Sequence, residues 1–178
     1  MPVINRIAAF QDEMQAWRRE LHANPELCFE EVRTAELVAR KLAEFGIEVH
    51  RGLAKTGVVG TLRAGNSGRA IGLRADMDAL PMGEDNRFAH RSITAGRMHA
   101  CGHDGHTAML LGAAKYLAET RNFDGTVQFI FQPAKRAAAA ARSWSTKACS
   151  SGSRSKRSTG CTIGRASKRG TSRCGPAR

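Results

Sequence analysis

The sequence has no long hydrophobic run, and this absence limits where we expect the protein to reside. No stretch approaches the roughly 20 apolar residues that a membrane-spanning helix needs. The first residues, MPVINRIAAFQDEM, carry acids early and contain no apolar segment of signal-peptide length. We therefore expect a cytoplasmic protein without a membrane partner, whose cysteines are free thiols or metal ligands and not disulfides.

Acidic residues are absent from the last quarter of the chain. All 16 lie between Asp12 and Asp124, whereas Lys and Arg occur throughout. Residues 1–134 contain 16 basic residues and are neutral overall, and residues 135–178 contain the other 12. The net charge of +12, which for a whole chain would suggest a nucleic-acid-binding protein, therefore comes from the tail alone.

The tail, residues 135–178, also lacks histidine and any helical or strand period. After a short alanine run it consists mainly of Ser, Arg, Lys, Gly and Thr, with one aromatic side chain, Trp144. Such a composition cannot bury enough apolar surface to offset the entropy of ordering the chain. We predict a folded segment over residues 1–134 and a disordered basic tail over residues 135–178.

Residues 1–134 alternate between amphipathic helices and short apolar strands. Apolar residues at helical spacing predict helices over residues 4–23, 30–45 and 106–120. Alternating or β-branched runs predict strands over residues 47–50, 57–62, 70–74 and 126–131. Residues 65–68, Gly-Asn-Ser-Gly, are typical of a hairpin turn, and a polar loop runs from Met82 to about Ala100. The pattern predicts a layered α/β domain.

The segment MHACGHDGH, residues 98–106, contains most of the metal-ligating chemistry. Thiolate and imidazole are preferred ligands of zinc-like metals, and Cys101 and His103 flank a glycine that lets the chain bend. Asp104 could orient a ligand from behind. A polar turn with incidental histidines explains the composition equally well, so this motif by itself leaves both interpretations open.

Two further segments end apolar strands in polar residues. In LRADMDALP, residues 73–81, Asp76 and Asp78 follow a strand at the end where open α/β sheets place their ligands. Taken alone, a solvated loop with a capping aspartate is the simpler interpretation. In FIFQPA, residues 129–134, a core strand delivers Gln132 at its end.

Together these segments resemble the hippurate hydrolase and auxin-conjugate hydrolase branch of the aminoacylase-like metallopeptidases. The matching pieces occur in family order with family-like gaps over almost all of residues 11–134: WRRELHANPELCFEE, GVVG, IGLRADMDALP, MHACGHDGHTAMLLGAA and TVQFIFQPA. The resemblance implies an incomplete layered zinc-peptidase-like catalytic domain. It covers the segment before the tail and no part of the tail.

The resemblance also implies a site and a reaction. Cys101 and His103 match ligands of two bridged divalent ions, for which Mn, Zn, Co or Ni are all suitable, and Asp78 matches a catalytic supporting acid near them. The implied reaction is hydrolysis of the amide of a small-molecule N-acyl amino acid by metal-activated water, with a glutamate as the base. The intact family implies a homo-oligomer.

The chain departs from the family pattern directly after Ala134. Where the family has two glutamates, one the general base and one a metal ligand, this sequence has Lys135 and Arg136, followed by five alanines. Cations beside a dinuclear site reverse the required electrostatics, and the base is lost. We expect this chain to lack the later ligands and to have little or no activity.

A single deleted nucleotide explains the departure. Removing the first G from codons for Glu-Glu-Gly-Gly yields Lys-Arg-Ala-Ala, as found at residues 135–138. Shifting the rest of the tail by one base permits Tyr-Gly-Leu-His-Asn-Trp-Pro-Gly around residues 161–165, which resembles the family's next histidine segment. We hypothesise that residues 135–178 are a frameshifted reading of the enzyme's own gene.

Three other interpretations fit parts of the sequence. A basic nucleic-acid-binding protein fits the charge of the tail, but no binding module is present, and we expect only non-specific, salt-sensitive binding. A zinc module in the tail would need Cys149, Cys161 and Cys174, whose spacings of 12 and 13 residues contain no C-x-x-C pair. A non-catalytic scaffold with an enzyme-like fold stays open, although no motif indicates a partner.

Overall fold

The computed structural model describes residues 5–133, in which three helices precede three strands, a fourth helix and a fourth strand. The elements are α1 (Asn5–Ala8), α2 (Gln11–Ala23), α3 (Val32–Glu44), β1 (Glu48–Leu53), β2 (Gly57–Ala64), β3 (Ala70–Asp76), α4 (His103–Thr120) and β4 (Gly125–Gln132). The predicted α/β class is confirmed. The prediction of a disordered tail concerns residues outside the described range.

The four strands form one mixed sheet in the order β1-β2-β4-β3. β4 pairs antiparallel with β2 and parallel with β3, so it lies between two strands that are consecutive in the chain. The predicted hairpin between β2 and β3 is therefore wrong. β4 is largely buried and lies between β2 and β3, while Asp124 Oδ1 accepts the backbone N–H groups of Asn66 and Ser67 at 2.9 Å each.

Helices and sheet share one hydrophobic core. Phe129 and Phe131 of β4 are fully buried, as are Val38 and Leu42 of α3 and Leu111 of α4. The buried apolar residues of α3 and α4 recur at helical spacing, so one face of each helix packs against the sheet. This packing holds the C-terminal end of β3 near the start of α4.

Two helix boundaries differ from the predictions. The first predicted helix is divided into α1 and α2, since Phe10 N bonds Ile7 O at 3.0 Å and the Phe10 side chain is buried at the break. α4 begins at His103, three residues earlier than predicted, directly after Gly102 in a left-handed conformation. Within residues 5–133, no helix is long and apolar enough to cross a membrane.

Candidate metal centre

The two motifs predicted to carry the site meet at the C-terminal end of β3. Asp76 is the last residue of β3, and His103 is the first residue of α4. His103 Nδ1 lies 2.7 Å from the carbonyl oxygen of Asp78 and 3.1 Å from its Oδ1 atom. Thr107 Oγ1 donates to the Asp76 carbonyl oxygen at 3.3 Å, which ties the next turn of the helix to the same strand end.

The His103 ring is buried, and its two nitrogens differ. Nδ1–H donates to Asp78, whereas Nε2 is buried with no hydrogen-bond partner among the described residues. Burial disfavours the charged ring, but the hydrogen bonds to Asp78 outweigh it and raise the pKa of His103 above its ordinary value. A ring held by Nδ1 with its Nε2 lone pair uncommitted is the arrangement of a histidine metal ligand.

Cys101 stands two residues before His103 with an exposed, free thiol. Gly102 joins them at φ +75°, a conformation in which a side chain is strained. The pair of thiol and imidazole fits a zinc-like ion chemically. Within residues 5–133, no group of three His, Cys, Asp or Glu side chains is placed to hold a metal, so the described part carries at most half of a site.

Asp104, which the sequence suggests could orient a ligand, has its Oδ2 atom 2.8 Å from His22 Nδ1 and 3.3 Å from Arg18 Nε. On the other side of the ring, His22 Nε2 lies 3.0 Å from Glu84 Oε1. The acid in hydrogen-bond contact with the His103 ring is Asp78, because the end of β3 brings it against the start of α4.

Sequence reasoning did not predict the hydrogen bonds that His22 makes to Asp104 and Glu84. Burial opposes charge on His22, but hydrogen bonds to Glu84 and Asp104 prevail and raise its pKa. Burial likewise opposes charge on Glu84, but hydrogen bonds from His22, the Ser92 N–H and Asn86 lower its pKa to about 2. The one available signal was the four-residue spacing of Arg18 and His22, which places both on one face of α2.

His99 is the third buried histidine of this region. It is 4% exposed, and neither ring nitrogen has a hydrogen-bond partner among residues 5–133. Burial lowers the pKa of His99 to about 4, so the ring is neutral at pH 7. Its ring centroid lies 6.4 Å from that of His22, which places it beside the His22–Asp104 pair.

A Cys-x-His turn and a histidine in contact with an aspartate therefore lie together at the strand end of this α/β fold. Residues 72–148 match the profile of Peptidase family M20/M25/M40. The chain is similar to this family over these residues, which make up less than half of its length.

Two relatives are similar to most of this chain. The chain is 52% identical over 143 residues to hippurate hydrolase of Campylobacter jejuni, which covers 80% of this chain and 37% of the relative. It is 51% identical over 122 residues to N-acyl-L-amino acid amidohydrolase of Geobacillus stearothermophilus, covering 67% of this chain and 33% of the relative. The chain thus spans about a third of the length of these relatives.

A solved structure is also similar to this chain. The Bacillus subtilis YXEP protein, a dinuclear metal binding peptidase from the M20 family, matches with a TM-score of 0.79 and 41% identity. The match covers 86% of this chain and 43% of that chain. The chain thus spans less than half of the length of that structure.

Proposed function

We propose that this chain is the N-terminal part of a hippurate hydrolase-like amidohydrolase, which in its intact form hydrolyses the amide bond of small N-acyl amino acids. The observation that carries the proposal is the state of His103. Asp78 holds its Nδ1, its buried Nε2 has no hydrogen-bond partner among residues 5–133, and Cys101, two residues earlier in the chain, has a free thiol. The names of the relatives supply the reaction class.

In the proposed site, Cys101 and His103 would be ligands of a centre of two divalent ions, with Mn, Zn, Co or Ni as candidates. Such ions, when bound, lower the pKa of water and polarise a carbonyl group. Asp78 acts through His103: it fixes the ring orientation and keeps the proton on Nδ1, away from the ligating nitrogen. The proposed location is the cytoplasm, where the thiols of Cys28 and Cys101 stay reduced.

We further propose that this chain by itself is inactive and that its last residues, 135–178, are read in a shifted frame. Lys135 and Arg136 stand where the family resemblance calls for a base and a ligand. Two protein ligands do not complete a zinc-like site, which normally has three or four. The intact, oligomeric enzyme would need the missing carboxylates and later histidines.

Cobalt titration of the full chain tests the half-site. Co²⁺ bound to a thiolate absorbs strongly in the near ultraviolet, so we expect a band in the wild type that Cys101→Ser abolishes and His103→Ala weakens. Cys28→Ser is the comparison variant, because Cys28 is the other free thiol within residues 5–133. A band that persists in Cys101→Ser would contradict the ligand assignment.

Resequencing the gene across the codons for Gln132–Ala141 and downstream tests the frameshift. We expect one restored base to open a homologous frame. Hippurate hydrolysis should then appear in the restored protein and be absent from the 178-residue chain. A downstream region without a homologous shifted frame, or hydrolysis by the short chain, would overturn this part of the proposal.

A further inference from the structure

His22 lies between two buried carboxylates. Its Nδ1 faces Asp104 Oδ2 at 2.8 Å and its Nε2 faces Glu84 Oε1 at 3.0 Å, and the two acid side chains are 1% and 3% exposed. Carboxylate oxygens only accept hydrogen bonds, so both ring nitrogens must donate and the ring is an imidazolium. Charge-assisted hydrogen bonds of this kind are stronger than neutral ones.

The two bonds join three separate parts of the chain. His22 belongs to the last turn of α2, Glu84 to the loop after β3, and Asp104 to the first turn of α4. Glu84 also accepts the Ser92 N–H at 2.6 Å and an Asn86 N–H at 2.8 Å. These bonds connect Glu84 to other residues of its own loop. A single side chain therefore anchors the loop and the helix start to each other.

Asp104 follows His103 directly, so the hydrogen bond between His22 and Asp104 lies next to the proposed metal ligand. Asp78 contacts the ring of His103 from the β3 side, and His22 bonds the side chain of Asp104, in the same helical turn, from the α2 side. Arg18 also reaches Asp104, but its side chain is 59% exposed and its contact is longer at 3.3 Å. His22 is thus the buried partner on which the position of the turn depends.

We propose that His22 is a positioning residue that, by bridging Glu84 and Asp104, fixes the Cys101–Asp104 turn in the geometry required for metal binding. This inference rests on the proposed function for the role of the turn. The bridge itself is a property of residues 5–133 and can be tested without a metal.

Hydrogen–deuterium exchange of the full chain without metal is the first test. In His22→Gln we expect amide exchange in residues 82–106 to rise about tenfold or more, with residues 32–64 unchanged. His50→Gln, an exposed histidine of β1, and Arg18→Gln are controls in which exchange should stay close to the wild type. A uniform rise across the chain, or no rise in residues 99–106, overturns the proposal.

Cobalt titration is the second test. We expect His22→Gln to weaken Co²⁺ binding by about 10- to 100-fold while the circular dichroism spectrum is unchanged. If the wild type binds no Co²⁺, the half-site assignment fails, and the exchange experiment still decides the role of His22. If His22→Gln does not fold, Glu84→Gln releases one side of the ring and should raise exchange in residues 82–106; unchanged exchange there contradicts the proposal.

Discussion

His103 Nδ1 lies 2.7 Å from the Asp78 carbonyl oxygen and 3.1 Å from Asp78 Oδ1. One residue therefore presents both a backbone and a side-chain acceptor to one ring nitrogen. The consequence is chemical: the proton is kept on Nδ1, and Nε2 is left with its lone pair in a buried position. Four substitutions test this contact and the structure around it.

Replacing Asp78 should cause a larger loss of metal affinity than of folding stability. Asp78→Ala removes the side-chain acceptor but leaves the backbone acceptor, so we expect Co²⁺ affinity to fall by about 10- to 100-fold. Asp12→Asn, an exposed acid of α2, is the control and should leave the affinity unchanged. Equal affinities for Asp78→Ala and the wild type, measured by absorbance titration, would show that Asp78 does not orient the ligand.

Gly102→Ala should strain the turn between the two proposed ligands. Gly102 has φ +75°, and a side chain in the left-handed region costs about 1–2 kcal/mol. We expect the free energy of urea unfolding to fall by that amount and Co²⁺ binding to weaken. Gly68→Ala is matched, since a Cβ atom there also meets nothing within 4 Å but the backbone angle is ordinary. Equal stability of the two variants would refute the argument.

The charge of Glu84 should make stability depend on acid pH. Its pKa falls from 4.5 to about 2 on folding, so its contribution is present above pH 4.5 and is lost as the pH falls toward 2. At pH 5.5, Glu84→Gln should unfold with about 1–3 kcal/mol less free energy than the wild type. The difference should shrink at pH 2.5, and a difference that is constant with pH in urea titrations argues against an ionised Glu84.

Leu42→Ala should show how far the small domain depends on its core. The Leu42 side chain is fully buried between α3 and the sheet, and a deletion of this kind costs about 2–5 kcal/mol through lost contacts and a cavity. Val32→Ala, at a position 67% exposed on the same helix, should change the unfolding free energy by less than about 0.5 kcal/mol. A loss below about 1 kcal/mol for Leu42→Ala would indicate a loosely packed core.

Much of the local structure was predictable because local spacing determines it. The apolar stripe of α3 and the continuous apolar run of β4 are properties of neighbouring residues, and both elements were predicted within a few residues. The predicted hairpin failed, since the turn at residues 65–68 has hairpin composition whichever strand lies beside β2. Only the pairing of β4 with both neighbours decides that question.

The sequence by itself determined the family resemblance, through the order and spacing of its motifs, and it indicated Cys101, His103 and Asp78 as candidate site residues. It also determined the neutral charge of residues 1–134 and the basic charge of the rest. Tertiary structure alone decided which acid serves which histidine: Asp78 contacts His103, whereas Asp104, its neighbour in the chain, contacts His22. The physical reason is that α4 begins at His103 and turns consecutive side chains to different sides, so partners come from distant elements that the fold brings together.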